Sequence, residues 1–268
     1  MDKRKSAIIL VGKSIDCLFS LKQILNSDCL ISGVVFCDQK NFHSRIRSES
    51  KRIKKYGVFL RLSQITLAVV YKFIYGDKDK HFLKKCYKNF NINSVYDELK
   101  SRKITYIEVS QYDSKNSLKY IQKLNPDFLV CHTPYWIDKK VRVLSKDKLI
   151  IGGHPGFVPS YRGAHSAFWT VYDNCPHKNG YSIFCLDHGV DSGPLIHQKY
   201  INYDYKISYK SNDFLLMKHI SFALADISKK YSVGKELSVV PQEHLFPSQI
   251  RVSPGIGDFI NFRKRLKE

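Results

Sequence analysis

Apolar positions follow two rhythms along this chain. Residues 7–11 form an unbroken apolar run ending at Gly12, and residues 30–37 form a second. A run that is apolar at every position suits a parallel strand buried on both faces. Between the two runs, Ile15, Leu18, Leu21, Ile24 and Leu25 recur at helical spacing behind Ser14, a residue type that caps helix N-termini. The chain therefore opens β-α-β. The alternation resumes with a helix over 94–101, a strand over 105–109, and a helix over 115–124 closed by Asn125-Pro126. A strand over 128–131, a short helix over 141–144 and a strand over 148–151 follow. Beyond Gly180, the stretches YSIFCLD and LIHQKYI read as two more strands around the loop HGVDSGP, before a helix over 212–230. Alternating strands and helices predict a doubly wound, mostly parallel α/β sheet. In such sheets ligands sit beyond the C-terminal ends of the strands. Segments 132–136 and 152–154 leave their strands at such ends.

Residues 39–93 break this pattern. The stretch 43–55 (HSRIRSESKRIKK) is strongly basic, and residues 58–75 then place Leu60, Ile65, Leu67, Ala68, Val69, Tyr71 and Phe73 at helical spacing. Gly76 followed by DKDKH is expected to end that helix. The segment reads as a helical insertion whose charge run is a solvated face, with a basic arm at Arg45–Lys55 touching a phosphate, such as a nucleotide's diphosphate, or a membrane surface as the alternative. Arg61, Gln64 and Lys72 interrupt the apolar stretch, so no transmembrane segment is expected. The catalytic domain is placed at 1–230 and a short C-terminal tail at 231–268, with Pro241, Pro247 and Pro254 and a basic end.

Charge changes the picture in one respect. Net charge is +20 over 268 residues, which concentrates anions near the surface without choosing among folates, nucleotide-linked sugars, nucleic acids and acidic lipids. No nucleic-acid-binding motif accompanies the charge, and no nucleic-acid partner is expected. At 43% hydrophobic and 13% aromatic, the chain can bury a substantial core. The 7 cysteines are scattered without CxxC spacing. Their odd number and apolar surroundings point to free thiols, a reducing compartment and a cytoplasmic location. GKSIDC lacks a full GxGxxG signature, so a dinucleotide cofactor is not expected.

Candidate chemistry sits in two loops. GGHPGFVPSYRG, residues 152–163, puts His154 just after a buried strand, and LDHGVDSGP, residues 186–194, carries Asp187 and Asp191 among glycines. The interval from 154 to 191 accommodates a helix and a returning strand, so two strand ends can bring His154 and Asp191 together. A carboxylate beside an imidazole fixes its tautomer and favours its protonated form, which suits proton transfer and oxyanion stabilisation. His177 and His188 form no metal set with any cysteine, and no metal is expected.

With both loops in this order, the chain resembles the folate-dependent formyltransferase family, which includes methionyl-tRNA formyltransferase, glycinamide ribonucleotide formyltransferase and the sugar N-formyltransferases. The shared pattern is Asn-x-His with a proline loop often ending YRG, then Asp-x-Gly-x-Asp-x-Gly. The HPG start is closest to the sugar enzymes. The resemblance implies a Rossmann-like formyltransferase fold and 10-formyltetrahydrofolate as cofactor. It implies His154 and Asp191 as catalytic residues and Asp187 as the acid shaping the folate loop. Leu186, Asp187, Gly189 and Val190, with His132, Pro134 and Trp136, would grip the pterin. Arg162 and Gly163 match the turn after the proline loop, and with His165 would meet substrate. Gly152 stands where the family's catalytic asparagine belongs. Losing such an oxyanion donor costs about 100- to 1,000-fold in rate. His132, Thr133 or His165 could supply a substitute.

The acceptor expected from the resemblance is a nucleotide-linked amino sugar used in surface polysaccharide (lipopolysaccharide) biosynthesis. The 38 residues after the last helix are too few for the C-terminal barrel of the tRNA enzymes. The glycinamide ribonucleotide enzymes are shorter and lack the insertion. Two alternatives stay open: a non-catalytic folate- or nucleotide-sugar-binding homologue, favoured by Gly152, and transfer to another amine such as methionyl-tRNA. The sequence admits a homodimer and does not specify one.

Overall fold

The computed structural model describes residues 4–38, 50, 52–242 and 250–266. Most of the basic run, 43–49 and 51, lies outside the described residues. Strands β1 (Ser6–Gly12), β2 (Leu30–Cys37), β3 (Thr105–Val109), β4 (Phe128–His132), β5 (Ile150–His154), β7 (Gly180–Cys185) and β8 (Leu195–Tyr200) form one seven-stranded sheet in the order β3-β2-β1-β4-β5-β7-β8. The first five strands run parallel, and β7 and β8 close the sheet antiparallel. The strand order reverses between β1 and β4, the place where open α/β sheets bind ligands.

Alternation along the strands divides the core into two layers. Ala7, Ile9, Val11, Phe128 and Val130 pack with α1 (Ile15–Leu25), α3 (Asn93–Ser101) and α7 (Tyr209–Ser232). Ile8, Leu10, Leu129 and Cys131 pack on the opposite side with α4 (Lys115–Leu124) and α5 (Lys139–Arg142). Ser14 occupies the N-cap of α1, but its side chain makes no capping hydrogen bond; Ser114 and Ser208 cap α4 and α7 as that residue type can. Asn125 ends α4 in the left-handed region at φ 44°.

The insertion helix departs from expectation. α2 runs Val58–Cys86, straight through Gly76. A mid-helix glycine costs only about 1 kcal/mol, which tertiary contacts offset. Tyr71 packs its ring against Tyr75 and, edge-on, Phe259, and Asp79 accepts hydrogen bonds from Tyr71 (2.9 Å), Ser208 (2.5 Å) and Ser211 (2.8 Å), tying the second half of α2 to α7. At 29 residues, α2 is also long and apolar enough to cross a membrane by length and composition. That corrects the reading that no stretch is, because two cations do not break a helix of this length.

The region after residue 230 is not merely appended. β9 (Ile250–Arg251) pairs in parallel with β6 (Arg162–Gly163), and α8 (Ile256–Arg265) buries Phe259 and Phe262 against α6 (Ser166–Tyr172). Phe168 and Trp169 are buried in the same cluster, Trp169 Nε1 donating to Val252 O at 3.0 Å, so these aromatics are core. All 7 cysteines are free thiols.

Candidate active site

His154 ends β5, two residues past Gly152, so both sit on the same side of the strand. Its imidazole is held from both ends. Nε2 lies 3.0 Å from Tyr161 O and 3.3 Å from Ser166 Oγ, and Nδ1 lies 3.4 Å from Asp191 Oδ2. A carbonyl oxygen can only accept, which assigns a proton to Nε2 and leaves Nδ1 facing the carboxylate. Gly156 makes this approach possible: a Cβ there would meet His154 Nε2, Ser166 Oγ and Tyr161 O. The glycine of the HPG motif is thus required by packing.

Asp191 sits on the loop between β7 and β8 in the left-handed region, at φ 51°. Holding a non-glycine residue there costs free energy, so the surroundings must fix it. Gly163 N donates to Asp191 Oδ2 at 3.0 Å, and Gln242 Nε2 donates to Asp191 O at 2.9 Å and to Gly193 O at 2.8 Å. Arg162 Nε donates to Val190 O at 2.7 Å. Asp187 accepts from Gly189 N at 2.9 Å and Ser192 Oγ at 2.7 Å, folding the glycine-rich loop on itself.

A cleft of about 220 Å³ opens beside this pair, lined by Pro134, Trp136, Gly152, Leu186, Asp187, Gly189, Val190 and Asp191 among others. The structure therefore brings together most of the residues assigned to the cofactor and the catalytic centre. His154 is buried and reaches this cleft through Asp191. Three assignments fall elsewhere. His132 follows Cys131 on β4, and strand alternation sends it to the opposite side of the sheet, toward Asp16 and Cys17. Both of its ring nitrogens lack a hydrogen-bond partner, and burial pushes the imidazole down from its ordinary value, Asp16 opposing. His165 caps α6 and pairs with Asp213 at 3.0 Å. Arg162 and Gly163 support the loop rather than line the cleft. Of the three candidate substitutes for the asparagine, only Thr133 lines the cleft.

Gly152 holds the chief surprise. A Cβ built there would overlap Leu186 Cδ1 and press on Cys131 Sγ at 3.0 Å. The space of the family's donor is filled by leucine. Sequence reading also passed over Arg142, which is buried on a four-residue helix. Its guanidinium donates to Ile137 O and Asp187 O and lies 5.0 Å from the Trp136 ring. An arginine inside the apolar run Val-Arg-Val-Leu was the available signal. Burial pushes the neighbouring Cys131 thiol up to about 12 against the Arg142 charge, so it is no nucleophile. Asp16, Cys17 and His132 are the one group of metal-ligand type among the described residues, their ligand atoms within 4.8 Å of one another.

The imidazole–carboxylate pair thus lies at the C-terminal end of β5 in a doubly wound sheet, beside a largely apolar cleft. The formyl transferase family profile matches residues 38–211, well over half of the chain, and the chain belongs to that family. Methionyl-tRNA formyltransferase of Thermotoga maritima is 25% identical over 142 residues, covering 53% of this chain and 44% of that protein. The chain thus spans less than half the length of this curated relative. Among solved structures, a sugar N-formyltransferase from a Shewanella species superposes with TM-score 0.55 at 12% identity, covering 98% of this chain and 86% of that one. A 4-N formyltransferase from Francisella tularensis gives TM-score 0.53 at 15% identity, covering 97% and 87%. At such identities these likenesses establish the Rossmann-like formyltransferase fold.

Proposed function

We propose that the chain transfers a formyl group from 10-formyltetrahydrofolate to a primary amine, and that the amine belongs to a nucleotide-linked amino sugar. The observation that carries this reading is the His154–Asp191 pair, 3.4 Å apart, beside a cleft walled by Pro134, Trp136, Leu186 and Val190. Walls of that kind suit a flat bicyclic ring, with Thr133, Asp187 and the backbone of residues 186–192 as polar partners. The donor supplies an activated formyl carbon. The chain supplies proton handling and charge stabilisation. Tyr161 O fixes the Nε2 proton of His154, so Nδ1, beside Asp191 Oδ2, is the atom that would take the proton shed by the attacking amine and hand it to the folate nitrogen as that nitrogen's bond to the formyl carbon breaks. Asp191 stabilises the resulting imidazolium, and its own orientation is set by the Gly163 amide. Thr133 is the cleft hydroxyl that takes over hydrogen bonding to the developing oxyanion.

The HPG motif supports the sugar acceptor, as does the fold likeness to the Shewanella sugar N-formyltransferase over 98% of this chain. The test is incubation with 10-formyltetrahydrofolate and a panel of nucleotide-linked amino sugars, read by mass spectrometry for the gain of one CO. Product that disappears in His154→Gln and Asp191→Asn is the expected result; product undiminished in both variants refutes the assignment. A second reading, a binding protein without catalysis, rests on Leu186 filling the donor's space. Folate binding with no formyl product from any amine would establish it.

A further inference from the structure

The insertion helix α2 has two faces. Gln64, Leu67 and Tyr71 are buried, Gln64 Nε2 donating to Ser253 O at 2.7 Å and Ser63 Oγ accepting from Ile256 N at 2.9 Å. At 100° per residue the opposite face carries Val58, Phe59, Leu62, Ile65, Val69 and Phe73. All are exposed, Phe59 by 90% and Phe73 by 87%. The stripe spans about four turns, roughly 22 Å of helix. Single exposed apolar residues are ordinary; a contiguous stripe with two bare phenylalanines marks an interaction site.

The surrounding charge selects the occupant. Arg52, Lys54 and Lys55 precede the stripe, Lys72 edges it, and Lys84 and Lys85 follow it, all exposed, while residues 58–76 contain no acid. A second copy laid parallel on this face would set cations on cations, in a chain of net charge +20. An anionic surface meets the same cations favourably. The hydrogen bonds of Ser63 and Gln64 on the inner face keep α2 on the fold, so the helix lies along a membrane rather than through it.

We propose that the outer face of α2 seats this protein on an anionic lipid surface, with Phe59, Leu62, Val69 and Phe73 entering the headgroup boundary. The test is co-sedimentation of the full chain with phosphatidylcholine vesicles, with and without phosphatidylglycerol. The chain should bind the anionic vesicles and bind them less at high salt. Phe59→Ser with Phe73→Ser should weaken binding by at least about tenfold at unchanged thermal midpoint, since both side chains are solvent-exposed. A Phe73→Trp reporter should shift its emission to the blue on anionic vesicles. Three results would overturn the proposal. One is no binding to anionic vesicles. Another is full binding by the double serine variant, which would mean adsorption by charge alone. The third is a dimer in sedimentation that the double variant dissolves while vesicles are ignored.

Discussion

Gly152→Asn restores the residue that the resemblance places beside the catalytic histidine, and two lines of reasoning predict opposite outcomes. If the position were simply vacant, the amide would regain an oxyanion donor and raise turnover by about 100- to 1,000-fold. The structure says the space is taken. The new Cβ would overlap Leu186 Cδ1 and sit 3.0 Å from Cys131 Sγ, before the amide itself is placed. The Leu186 side chain, which lines the cleft, would have to turn aside, and overpacking it does not relieve costs about 1–3 kcal/mol. For a domain of this size each kcal/mol moves the thermal midpoint by about 2–4 °C, so the variant should melt roughly 2–12 °C lower. Its turnover should fall, because Leu186 opens the loop that carries Asp187 and Asp191. Leu186→Ala should recover most of the lost midpoint in the Gly152→Asn background, although alone it destabilises. Differential scanning calorimetry on the four proteins of this cycle, with formylation rates beside it, measures the coupling. An asparagine variant with an unchanged midpoint and faster turnover would refute the claim that Leu186 occupies the donor's place.

Other perturbations test other parts of the argument. His154→Gln and Asp191→Asn should each lower turnover by at least about 100-fold, as loss of a proton-handling group does, measured on purified protein in the formylation assay. Gln242→Leu removes two hydrogen bonds to the active-site loop and should cost about 1–3 kcal/mol in urea unfolding while raising KM for the formyl donor. Phe262→Ala should cost about 3–5 kcal/mol in the same assay, because that ring is buried against Phe168. His132 gives a pH prediction. Its folded pKa lies below the unfolded value of about 6.5, so the unfolded chain binds more protons and stability falls as pH drops below about 6.5. His132→Leu should flatten that acid limb and leave neutral-pH stability equal or higher, since neither ring nitrogen has a partner; an unaltered limb counts against it.

Strands and helices with strong periodicity were legible because burial on both faces writes itself into composition. β2 and β3 and helix α4 fall on their expected residues, and β1 gains only Ser6 and Gly12. The strand expected over 148–151 starts at Ile150 and reaches His154, because Lys148 takes a left-handed conformation at φ 50°. α2 outran Gly76 because the Asp79 contacts are made with residues more than a hundred positions away, which no local pattern reports. The same limit explains the site. His154 and Asp191 were paired by motif and lie 3.4 Å apart, whereas His132, assigned to the cofactor with the 132–136 segment, does not line the cleft. One step along a strand reverses the face: Cys131 lines the cleft and His132 does not.

The region after residue 230, read from its prolines as a tail, bears directly on the Asp191 carboxylate. Gly163 can give its amide to Asp191 because β6 is held by β9, where Gly163 at φ 91° passes so close to Arg251 O that a side chain would collide. Ala164 N donates to that same oxygen at 2.9 Å. From the other side Gln242 grips the Asp191 carbonyl. Asp191 occupies a backbone region that costs free energy, and a strained residue keeps its place only where its surroundings over-determine it. Here those surroundings come from three distant stretches: the proline loop, Gln242 and, through β9, residues 250–251. The position of the carboxylate against His154 is therefore a property of the closed fold, and perturbing the C-terminal stretch shifts that pair without touching either side chain.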